Sequence, residues 1–401
     1  MDKLDRNNYC LSCEHILAEQ GFVFEEYPPY MGEPINTENK KCANCKQTIN
    51  NNLELIKNDY NTFKTALVNN KIKVVAFVAP SIRAGIGECF NVTEDCQYKI
   101  VTALKQLGCS FVYSMNFGAD LTITEESAEL KERLNNNTNL PLLTSCCPSW
   151  INFVYKVYPA LKKNLSTCKS PQQMMGAIIN NYFTKVNNLK SSDIFVVSIV
   201  PCLAKKLERQ RENINFSKGF DVDACITTTE LAQLIKEHNI DFNNLANTEF
   251  DNLFKEYSNN AALFGIAGGV SQSIIYNLDK DAVLLEEKIT NIKEKTFLVN
   301  NKKVCVAQIE GLANTKDVIN QILNGNCKYH IIEVMACSGG CVGGAGQLVQ
   351  NADILKRTEL MKTSKNNYCF TNANDNPIIK ELYKKHISKE LAHKMFHENR
   401  E

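Results

Sequence analysis

One stretch of the sequence, residues 331–347, constrains the fold and the chemistry of this chain more than any other. An apolar run that ends at Met335 predicts a buried strand. A loop follows that holds Cys337 and Cys341 among five glycines. Two thiolates four residues apart can point at one centre only if the backbone turns tightly and comes close to it, and glycine permits both. A glycine turn with two inert cysteines is the alternative, but this density of Cys and Gly favours a metal cluster.

The balance of charges and the number of cysteines narrow the class of protein. Lys and Arg together number 45 and Asp and Glu 44, so no net field indicates a nucleic-acid or anionic-membrane partner. The 17 cysteines are odd in number and unevenly clustered, which argues against a disulfide framework and for metal ligation in a reducing, anoxic compartment. The sequence lacks an apolar run of membrane-spanning length, and the first residues are polar. We therefore expect a cytoplasmic protein without membrane insertion.

Apolar runs alternate with amphipathic segments from residue 71 onward. Strands are predicted at 73–80, 111–117, 142–146, 194–200, 222–227, 303–309 and 329–335, and helices at 96–107, 122–134, 171–186, 229–237 and 315–323. Residues 241–262 and 278–296 are predicted to be polar, weakly periodic insertions. The alternation predicts an α/β architecture with mostly parallel sheets flanked by helices. We expect an N-terminal module with a linker helix at 1–70, a two-lobed main unit at 71–370, and a C-terminal helical tail at 371–401 that packs on it.

The N-terminal segment carries a second cysteine pattern. Cys10 and Cys13 form one Cys-x-x-Cys pair, and Cys42 and Cys45 form another after 28 intervening residues. Two such pairs predict a site of four thiolates, for which iron-sulfur and zinc both fit.

In the main unit, cysteines gather where three predicted strands end. Cys146 and Cys147 follow the strand at 142–146, Cys202 follows the strand at 194–200, and the opening stretch supplies two more. In open α/β sheets the carboxyl ends of strands meet at a crevice where ligands bind, so these three loops should face one another. Four thiolates complete one 4Fe-4S cubane, and one of the five cysteines is left beside the metal.

The three cysteine loops closely resemble the signature loops of the iron-only, or [FeFe], hydrogenases. They are Thr-Ser-Cys-Cys-Pro-Ser-Trp at 144–150, Val-Pro-Cys-Leu-Ala-Lys-Lys-Leu-Glu at 200–208, and Glu-Val-Met-Ala-Cys-Ser-Gly-Gly-Cys-Val-Gly-Gly-Ala-Gly-Gln at 333–347. Segments 79–88, 117–126 and 169–173 belong to the same resemblance, which runs from about residue 74 to the tail. Long motifs in the right order are far more specific than any lone motif. The resemblance implies a two-lobed hydrogenase catalytic domain.

The resemblance also implies a cofactor and its ligands. The cofactor is an H-cluster, a 4Fe-4S cubane joined to a two-iron azadithiolate unit that carries CO and cyanide. By the same resemblance, Cys147, Cys202, Cys337 and Cys341 hold the cubane, and the sulfur of Cys341 bridges to the two-iron unit. Cys146 is left to exchange protons, which suits a thiol better than a serine hydroxyl because its pKa is nearer neutral.

A buried site that uses protons needs titratable groups leading to solvent. Glu126, Glu129 and Arg133 lie at i, i+3 and i+7, and so share one helix face. Such a face is usually solvated surface. The resemblance instead implies a proton path in the order Cys146, Glu126, Ser166, Glu129 and Arg133.

Further residues around the cofactor follow from the resemblance. Lys205 would donate to a cyanide, whereas the adjacent Lys206 is expected to be an ordinary surface lysine. The pocket would be shaped by Pro80, Ser81, Gln172, Phe264 and Met335. For Glu208, a place near the pocket and a plain helix position both remain open, and the segment 265–269 is expected to pass close to the cluster.

The chain departs from the family pattern at a few positions. Val200 stands where many members have Met, and Ala345 and Leu348 replace the usual Gly and Pro. In the N-terminal region, Thr48 and Asn52 stand where further ferredoxin-like cysteines would fall, so we expect one site there, an iron-sulfur relay in preference to structural zinc.

The implied activity is the reversible conversion of 2H+ and 2e− to H2. Electrons would come from ferredoxin or another redox protein, and hydrogenase maturation proteins would supply the cofactor. Two alternatives remain. One is an H2 sensor on the same fold, and the other is a non-catalytic iron-sulfur assembly factor, which lacks the paired cysteines of the first loop.

Overall fold

A computed structural model describes residues 52–211, 214–217, 219–348, 353–363 and 370–400. The predicted N-terminal metal ligands Cys10, Cys13, Cys42 and Cys45 lie outside the described residues, as does Thr48. The strands are β1 (Lys73–Val78), β2 (Phe111–Ser114), β3 (Leu142–Leu143), β4 (Ile194–Val200), β5 (Ala224–Thr227), β6 (Val283–Ile289), β7 (Lys293–Val299), β8 (Lys302–Glu310) and β9 (Ile331–Met335). The main helices are α1 (Asn52–Leu67), α2 (Gln97–Leu107), α3 (Asn116–Asn136), α4 (Pro148–Val157), α5 (Pro171–Ile178), α6 (Ala204–Glu208), α7 (Thr228–Glu237), α8 (Gly269–Leu278), α9 (Lys316–Leu323), α10 (Ile354–Thr363), α11 (Pro377–Lys385) and α12 (Lys389–Phe396).

The first sheet has the strand order β2-β1-β4-β5, and all of its neighbouring strands are parallel. The central strands β1 and β4 are almost entirely buried, which explains why both are continuous apolar runs in the sequence. Apolar side chains of α2, α5 and α7 complete the core around this sheet. This lobe therefore has the helix-covered parallel sheet that the alternating pattern predicts.

The second sheet has the order β3-β9-β8-β7-β6. Strands β3, β9 and β8 are parallel, whereas β8, β7 and β6 are antiparallel neighbours. Most strand pairs in the two sheets are parallel, so the predicted α/β architecture is confirmed.

The expectation of a polar insertion at residues 278–296 is wrong, because that segment contains β6 and the start of β7. Asn300 and Asn301, with φ of 47° and 64°, form the two-residue turn that joins β7 to β8. Every residue of β6 is exposed, so the strand lacks the alternation of a half-buried strand. This explains why periodicity did not indicate the hairpin.

Two predicted strands are shorter in the structure because the chain changes direction early. The strand predicted at 111–117 ends at Ser114, and α3 begins at Asn116 and continues for 21 residues. The strand predicted at 142–146 is reduced to Leu142–Leu143, which leaves Cys146 in the loop that follows. The early endings place polar and cysteine side chains at the carboxyl edge of each sheet.

The C-terminal tail forms the predicted pair of helices, α11 and α12, and then runs beside the segment that precedes α5. The amide of Lys169 donates to the carbonyl of Phe396 over 2.7 Å, and the amide of Glu398 donates to the carbonyl of Thr167 over 2.8 Å. Cys168 and His397 face each other in this antiparallel contact. The tail is therefore held by main-chain hydrogen bonds as well as by its apolar face.

Candidate active site

Four strand ends meet at one place between the two sheets. The loops after β1 and β4 come from the first sheet, and those after β3 and β9 come from the second. Residues of all four loops line a common cavity that contains about 800 Å³ of space outside the protein atoms. The crevice predicted from parallel-strand topology is present.

All five cysteines that the sequence groups together line this cavity, namely Cys146, Cys147, Cys202, Cys337 and Cys341. The remaining predicted pocket residues line it too, and they are Pro80, Ser81, Gln172, Lys205, Phe264 and Met335. Gly265 is the member of the segment 265–269 that reaches the wall. Val200, the departure in the second loop, also faces the cavity.

Glycine is required at two points of the third loop. Gly340 has a φ of 83°, and a Cβ there would lie 2.6 Å from the amide nitrogen of Ala267. A Cβ at Gly344 would lie 2.3 Å from the carbonyl oxygen of Pro201. At Gly344 the third loop therefore lies directly against the second loop, and this close approach brings Cys341 and Cys202 to the same cavity. The glycines therefore serve the close approach that the sequence predicts.

The cavity walls disfavour isolated thiolates. Burial raises the pKa of Cys202 to about 11 and that of Cys341 to about 12, and in both cases another cysteine adds to the effect. Burial also raises the pKa of Cys147, although amides of Ala336 and Trp150 oppose the rise. Thiolates grouped in such a site need a positively charged group among them, as a metal cluster supplies. The buried Ser81 hydroxyl also lines the cavity and lacks a hydrogen-bond partner among the described residues. The donor set fits an iron-sulfur group.

A buried network fixes Lys205 at the cavity wall. Its ammonium donates to the carbonyl of Cys146 over 3.0 Å and to the Glu208 carboxylate over 2.8 Å. The same Glu208 oxygen accepts hydrogen bonds from Ser170 at 2.9 Å and Gln172 at 3.2 Å. Burial alone would lower the pKa of Lys205, but the Glu208 carboxylate outweighs it and raises the pKa.

Glu208 is thus a buried acceptor of three side-chain hydrogen bonds beside the cavity, and 2% of its surface is exposed. Its spacing of three residues from Lys205 on one helix was the available sequence signal.

The expectation that Lys206 is a surface lysine is wrong. Its side chain is fully buried, and its ammonium donates to Glu230 over 2.8 Å. The other oxygen of Glu230 accepts from the amide of Thr227, where α7 begins. The short helix α6 turns Lys206 inward, toward the first residues of α7, because the charge of Glu230 can receive it there.

Glu126 is the most unusual carboxyl group near the cavity. It is fully buried, and neither of its carboxyl oxygens has a hydrogen-bond partner among the described residues. Burial raises the pKa of Glu126 to about 8, and the nearby Glu129 adds to the rise, while Ser166, Arg400 and Arg133 oppose it. The pKa of Cys146 is raised well above its ordinary value by burial and then by the Glu126 charge. Glu126 can therefore hold or release a proton near neutral pH.

Glu129, one turn further along α3, has the opposite environment. It accepts from the Ser166 hydroxyl at 2.9 Å and the Thr167 amide at 3.0 Å, and it pairs with Arg133 at 2.5 Å. Burial alone would raise the pKa of Glu129, but Arg133 and these hydrogen bonds together lower it. The structure thus brings Glu126, Glu129, Ser166 and Arg133 to one side of α3, and this side is buried instead of solvated.

Two residues near Glu129 were not indicated by the sequence. The Thr167 hydroxyl donates to Glu129 over 3.1 Å, and it also contacts Nδ1 of His397 at 2.8 Å. The adjacency of Thr167 to Ser166 was a usable signal. His397 had none, because it lies 230 residues from its partner and is brought there only by the tail.

This fold and cavity define a class of α/β protein with two sheets, in which cysteines from the ends of several strands line one cavity. The chain belongs to the iron-only hydrogenase family, because the model "Iron only hydrogenase large subunit, C-terminal domain" matches residues 72–345. The family resemblance in the signature loops is thereby confirmed.

Individual relatives agree with that family. Iron hydrogenase 1 of Clostridium pasteurianum is 39% identical over 310 residues, which cover 75% of this chain and 54% of that protein. The NADP-reducing hydrogenase subunit HndD of Solidesulfovibrio fructosivorans is 34% identical over 406 residues, with coverages of 95% and 69%. This chain thus spans about half of the clostridial relative. The apo [FeFe]-hydrogenase HydA1 from Chlamydomonas reinhardtii superposes with a TM-score of 0.74 at 29% identity, over 84% of this chain and 98% of that one.

A different kind of protein is also similar. The cytosolic Fe-S cluster assembly factor narfl of Xenopus tropicalis is 29% identical over 311 residues, covering 71% of this chain and 65% of that protein. The fold is therefore shared by relatives with two kinds of name, so the choice between them depends on the residues of the site.

Proposed function

We propose that this protein is an [FeFe]-hydrogenase that interconverts 2H+ and 2e− with H2 at an H-cluster in the cysteine-lined cavity. The observation that carries the proposal is the fifth cysteine. Cys146 lines the same cavity as the four proposed ligands, and it is close enough to the buried Glu126 for that charge to raise its pKa. A site that only stored a cluster would need neither group.

Cys147, Cys202, Cys337 and Cys341 would hold the cubane, with Cys341 shared with the two-iron unit. When bound, this group supplies an iron with an open position, which polarises H2 as a Lewis acid, and an amine that takes up the proton. Lys205, held in the wall by Glu208, would donate to a cyanide ligand. Phe264 and Met335, which are both buried and line the cavity, would exclude water from it.

The protein's own groups would move protons between the cavity and solvent. Cys146 would hold a proton on Sγ at the cavity wall. Glu126 has no direct hydrogen bond to it and would receive the proton on a carboxyl oxygen through a bridging water, because its raised pKa keeps the neutral form accessible. Ser166 and Glu129 continue the path, and the hydrogen bond of 2.9 Å between them is already formed. Arg133 stabilises the Glu129 carboxylate at the far end.

Infrared spectroscopy and H2 assays of anaerobically matured protein test the proposal. We expect CO and cyanide stretching bands together with H2 turnover. Cys146→Ser should retain the bands and lose turnover, since the variant keeps all four ligands but lacks the thiol. Cys305→Ser, a partly exposed cysteine outside the cavity, is the matched control and should keep both. Full turnover in Cys146→Ser, or missing bands after competent maturation, would contradict the proposal.

The second candidate is an iron-sulfur assembly factor, which the narfl relative favours. An assembly factor would bind iron and sulfide without the CO and cyanide bands and without H2 turnover, so the same experiment separates the two functions. An H2 sensor would show the bands with slow turnover.

The four N-terminal cysteines, Cys10, Cys13, Cys42 and Cys45, are proposed to hold an iron-sulfur relay in preference to zinc. Iron and zinc analysis of a Cys10→Ala/Cys42→Ala variant tests this, because loss of zinc alone would exclude the relay. Ferredoxin as electron donor, hydrogenase maturation proteins as partners and a cytoplasmic location stay predictions from the sequence. None of the helices within the described residues combines the length and apolarity needed to cross a bilayer.

A further inference from the structure

We propose that protons pass between Glu129 and solvent through Thr167 and His397, a histidine that the C-terminal tail inserts beside α3. This inference rests on the proposed hydrogenase function and assigns the outer end of its proton path. It gives the tail a part in turnover, which the signature loops do not indicate.

An unbroken series of hydrogen bonds leads outward from Glu129. Oε2 of Glu129 accepts from Oγ1 of Thr167 at 3.1 Å, and that hydroxyl lies 2.8 Å from Nδ1 of His397. On the other side of the imidazole, Nε2 lies 3.1 Å from Oε2 of Glu125. Tyr383 of α11 donates to the second oxygen of Glu125. Glu129, Thr167 and His397 can each both donate and accept a proton. Glu125 and Tyr383 hold the orientation of the His397 ring.

His397 and Thr167 are the members of the series that line an open cleft, together with Arg133 and His393, and 11% of the His397 side chain is exposed. Glu129 and Glu125, with 12% and 15% of their side chains exposed, do not line this cleft. Lysines 162, 163 and 394 lie on the same cleft. The cleft therefore connects the relay to solvent, and the His397 imidazole is the group of the series on this cleft that can exchange a proton with water.

Arg133 is unsuited to that final step. Its guanidinium donates to the carbonyls of Asn139, Asn164 and Leu165 at 2.8 to 2.9 Å, and it also pairs with Glu129. A guanidinium does not give up its proton in a protein, and these four bonds fix it in place. Arg133 is therefore a positioning residue that keeps Glu129 charged, and a second group must carry the proton.

The proton transfer balances within three residues. Inward, the Nδ1–H bond of a doubly protonated His397 breaks as an O–H bond forms on Thr167. At the same time the original Thr167 proton moves to Oε2 of Glu129. His397 is left neutral and takes a new proton at Nδ1 from a hydronium ion in the cleft, which leaves as water. The outward direction reverses each bond change, and no oxidant or other reactant is required.

The tail holds His397 in register with this series. The Lys169–Phe396 and Glu398–Thr167 main-chain bonds flank it, and Nε of Arg400 donates to the carbonyl of Ser166 over 2.5 Å. The extended backbone at His397, with φ of −115° and ψ of 156°, points the ring at Thr167.

Glu129, Cys168 and His397 also place three ligand-type atoms within 4.8 Å of one another. A metal ion there would compete with Arg133 for the Glu129 carboxylate and would lie near the Arg400 guanidinium, which donates to the Cys168 carbonyl, so proton relay is the favoured use of this cluster.

The test compares His397→Gln with wild-type protein in the matured holoenzyme. Glutamine retains hydrogen-bonding groups but cannot carry a proton, so we expect H2 evolution to fall by about tenfold or more, with a larger H2O/D2O rate ratio. The infrared bands should be unchanged. His386→Gln is the matched control, because His386 belongs to the same tail but packs against Tyr182 and does not line the cleft. It should evolve H2 at the wild-type rate.

Chemical rescue separates a relay from a structural role. Imidazole added to His397→Ala should restore at least part of the lost rate, whereas pyrazole, which has a similar shape but is a much weaker base, should not. An unaltered rate and isotope effect in His397→Gln, or a lost rate in His397→Ala that imidazole does not restore, would overturn the relay alone. If wild-type holoenzyme with intact infrared bands evolves no H2, the proposed function is wrong and the relay is overturned with it.

Discussion

Two regions of the molecule are built in contrasting ways. One is the cysteine-lined cavity, and the other is the acidic series beside it, which consists of Glu126 and the hydrogen-bonded residues from Ser166 and Glu129 to Thr167, His397 and Glu125. Each cysteine lies within a few residues of the end of its own strand, so a short contiguous motif specifies both the ligand and its position. The series at Glu129 instead joins α3, the segment before α5 and the C-terminal tail, with partners up to 272 residues apart. The difference teaches that the cysteine cluster is encoded locally in this chain, whereas the acidic series depends on how distant segments pack.

The sharpest test of this contrast removes one ligand. Cys341→Ser should abolish H2 turnover and lower the iron content, since a hydroxyl is a poor ligand for iron-sulfur clusters. The fold should remain, because the loop keeps main-chain hydrogen bonds that do not involve the thiol, such as the one from the Gly346 amide to the Pro201 carbonyl at 2.8 Å. Iron analysis and infrared spectra measure the outcome, with Cys305→Ser as control. Wild-type iron and wild-type bands in Cys341→Ser would remove this residue from the ligand set.

The second prediction changes the acidic series and leaves the ligands untouched. Glu126→Gln should lower turnover by roughly 10²- to 10⁴-fold, because the amide cannot carry a proton. The infrared bands should persist, since Glu126 does not line the cavity. Glu132→Gln, an exposed position on the same helix, should have wild-type turnover. If both variants turned over equally, transport through Glu126 would be excluded.

The pH dependence of stability isolates the burial of Glu126. Because burial raises its pKa from 4.5 to about 8, the native state binds more protons than the unfolded state in this window. The contribution of Glu126 to stability is therefore present at low pH and is lost as pH rises, by up to a few kcal/mol at about 1.4 kcal/mol per pH unit. Anaerobic urea unfolding at about pH 6 and about pH 9 should show a drop in wild-type that is smaller in Glu126→Gln. Equal drops would mean that Glu126 ionises freely.

The smallest expected effect concerns the packing of the loops. Gly344→Ala places a Cβ 2.3 Å from the Pro201 carbonyl oxygen, so the loops must separate, at a cost of about 1 to 3 kcal/mol in unfolding free energy. Gly219→Ala, where a Cβ meets nothing within 4 Å, is the control. Urea unfolding curves measure both. If Gly344→Ala were as stable as the wild-type protein, the close approach of the two loops at this position would not contribute to stability.

The same contrast explains how far the sequence could be interpreted. Continuous apolar runs such as β4 predicted buried parallel strands, because both faces of these strands are covered. The β6 strand was not predicted, because it is exposed along its whole length and has no alternation of buried and exposed residues. Local pattern predicts elements whose burial is regular, and it fails where a strand depends only on its neighbour in the sheet.

Charged residues show a similar limit. Lys205 was placed correctly at the cavity by its motif, but the adjacent Lys206 was expected at the surface and is buried against Glu230. A lysine buried by a partner 24 residues away has the same local sequence as a solvated one. His397 is the extreme case, since only the folded tail reveals its partner.

The position of Glu208 has a consequence for any redox group bound in the cavity. This carboxylate sets the charge at the cavity through Lys205, although it does not itself line the cavity. Neutralising it would alter the electric potential felt by a bound redox group, and hence its midpoint potential, with every sulfur ligand in place. The driving force for electron transfer to a bound redox group could thus be adjusted, in evolution or in the laboratory, by a residue that does not contact that group.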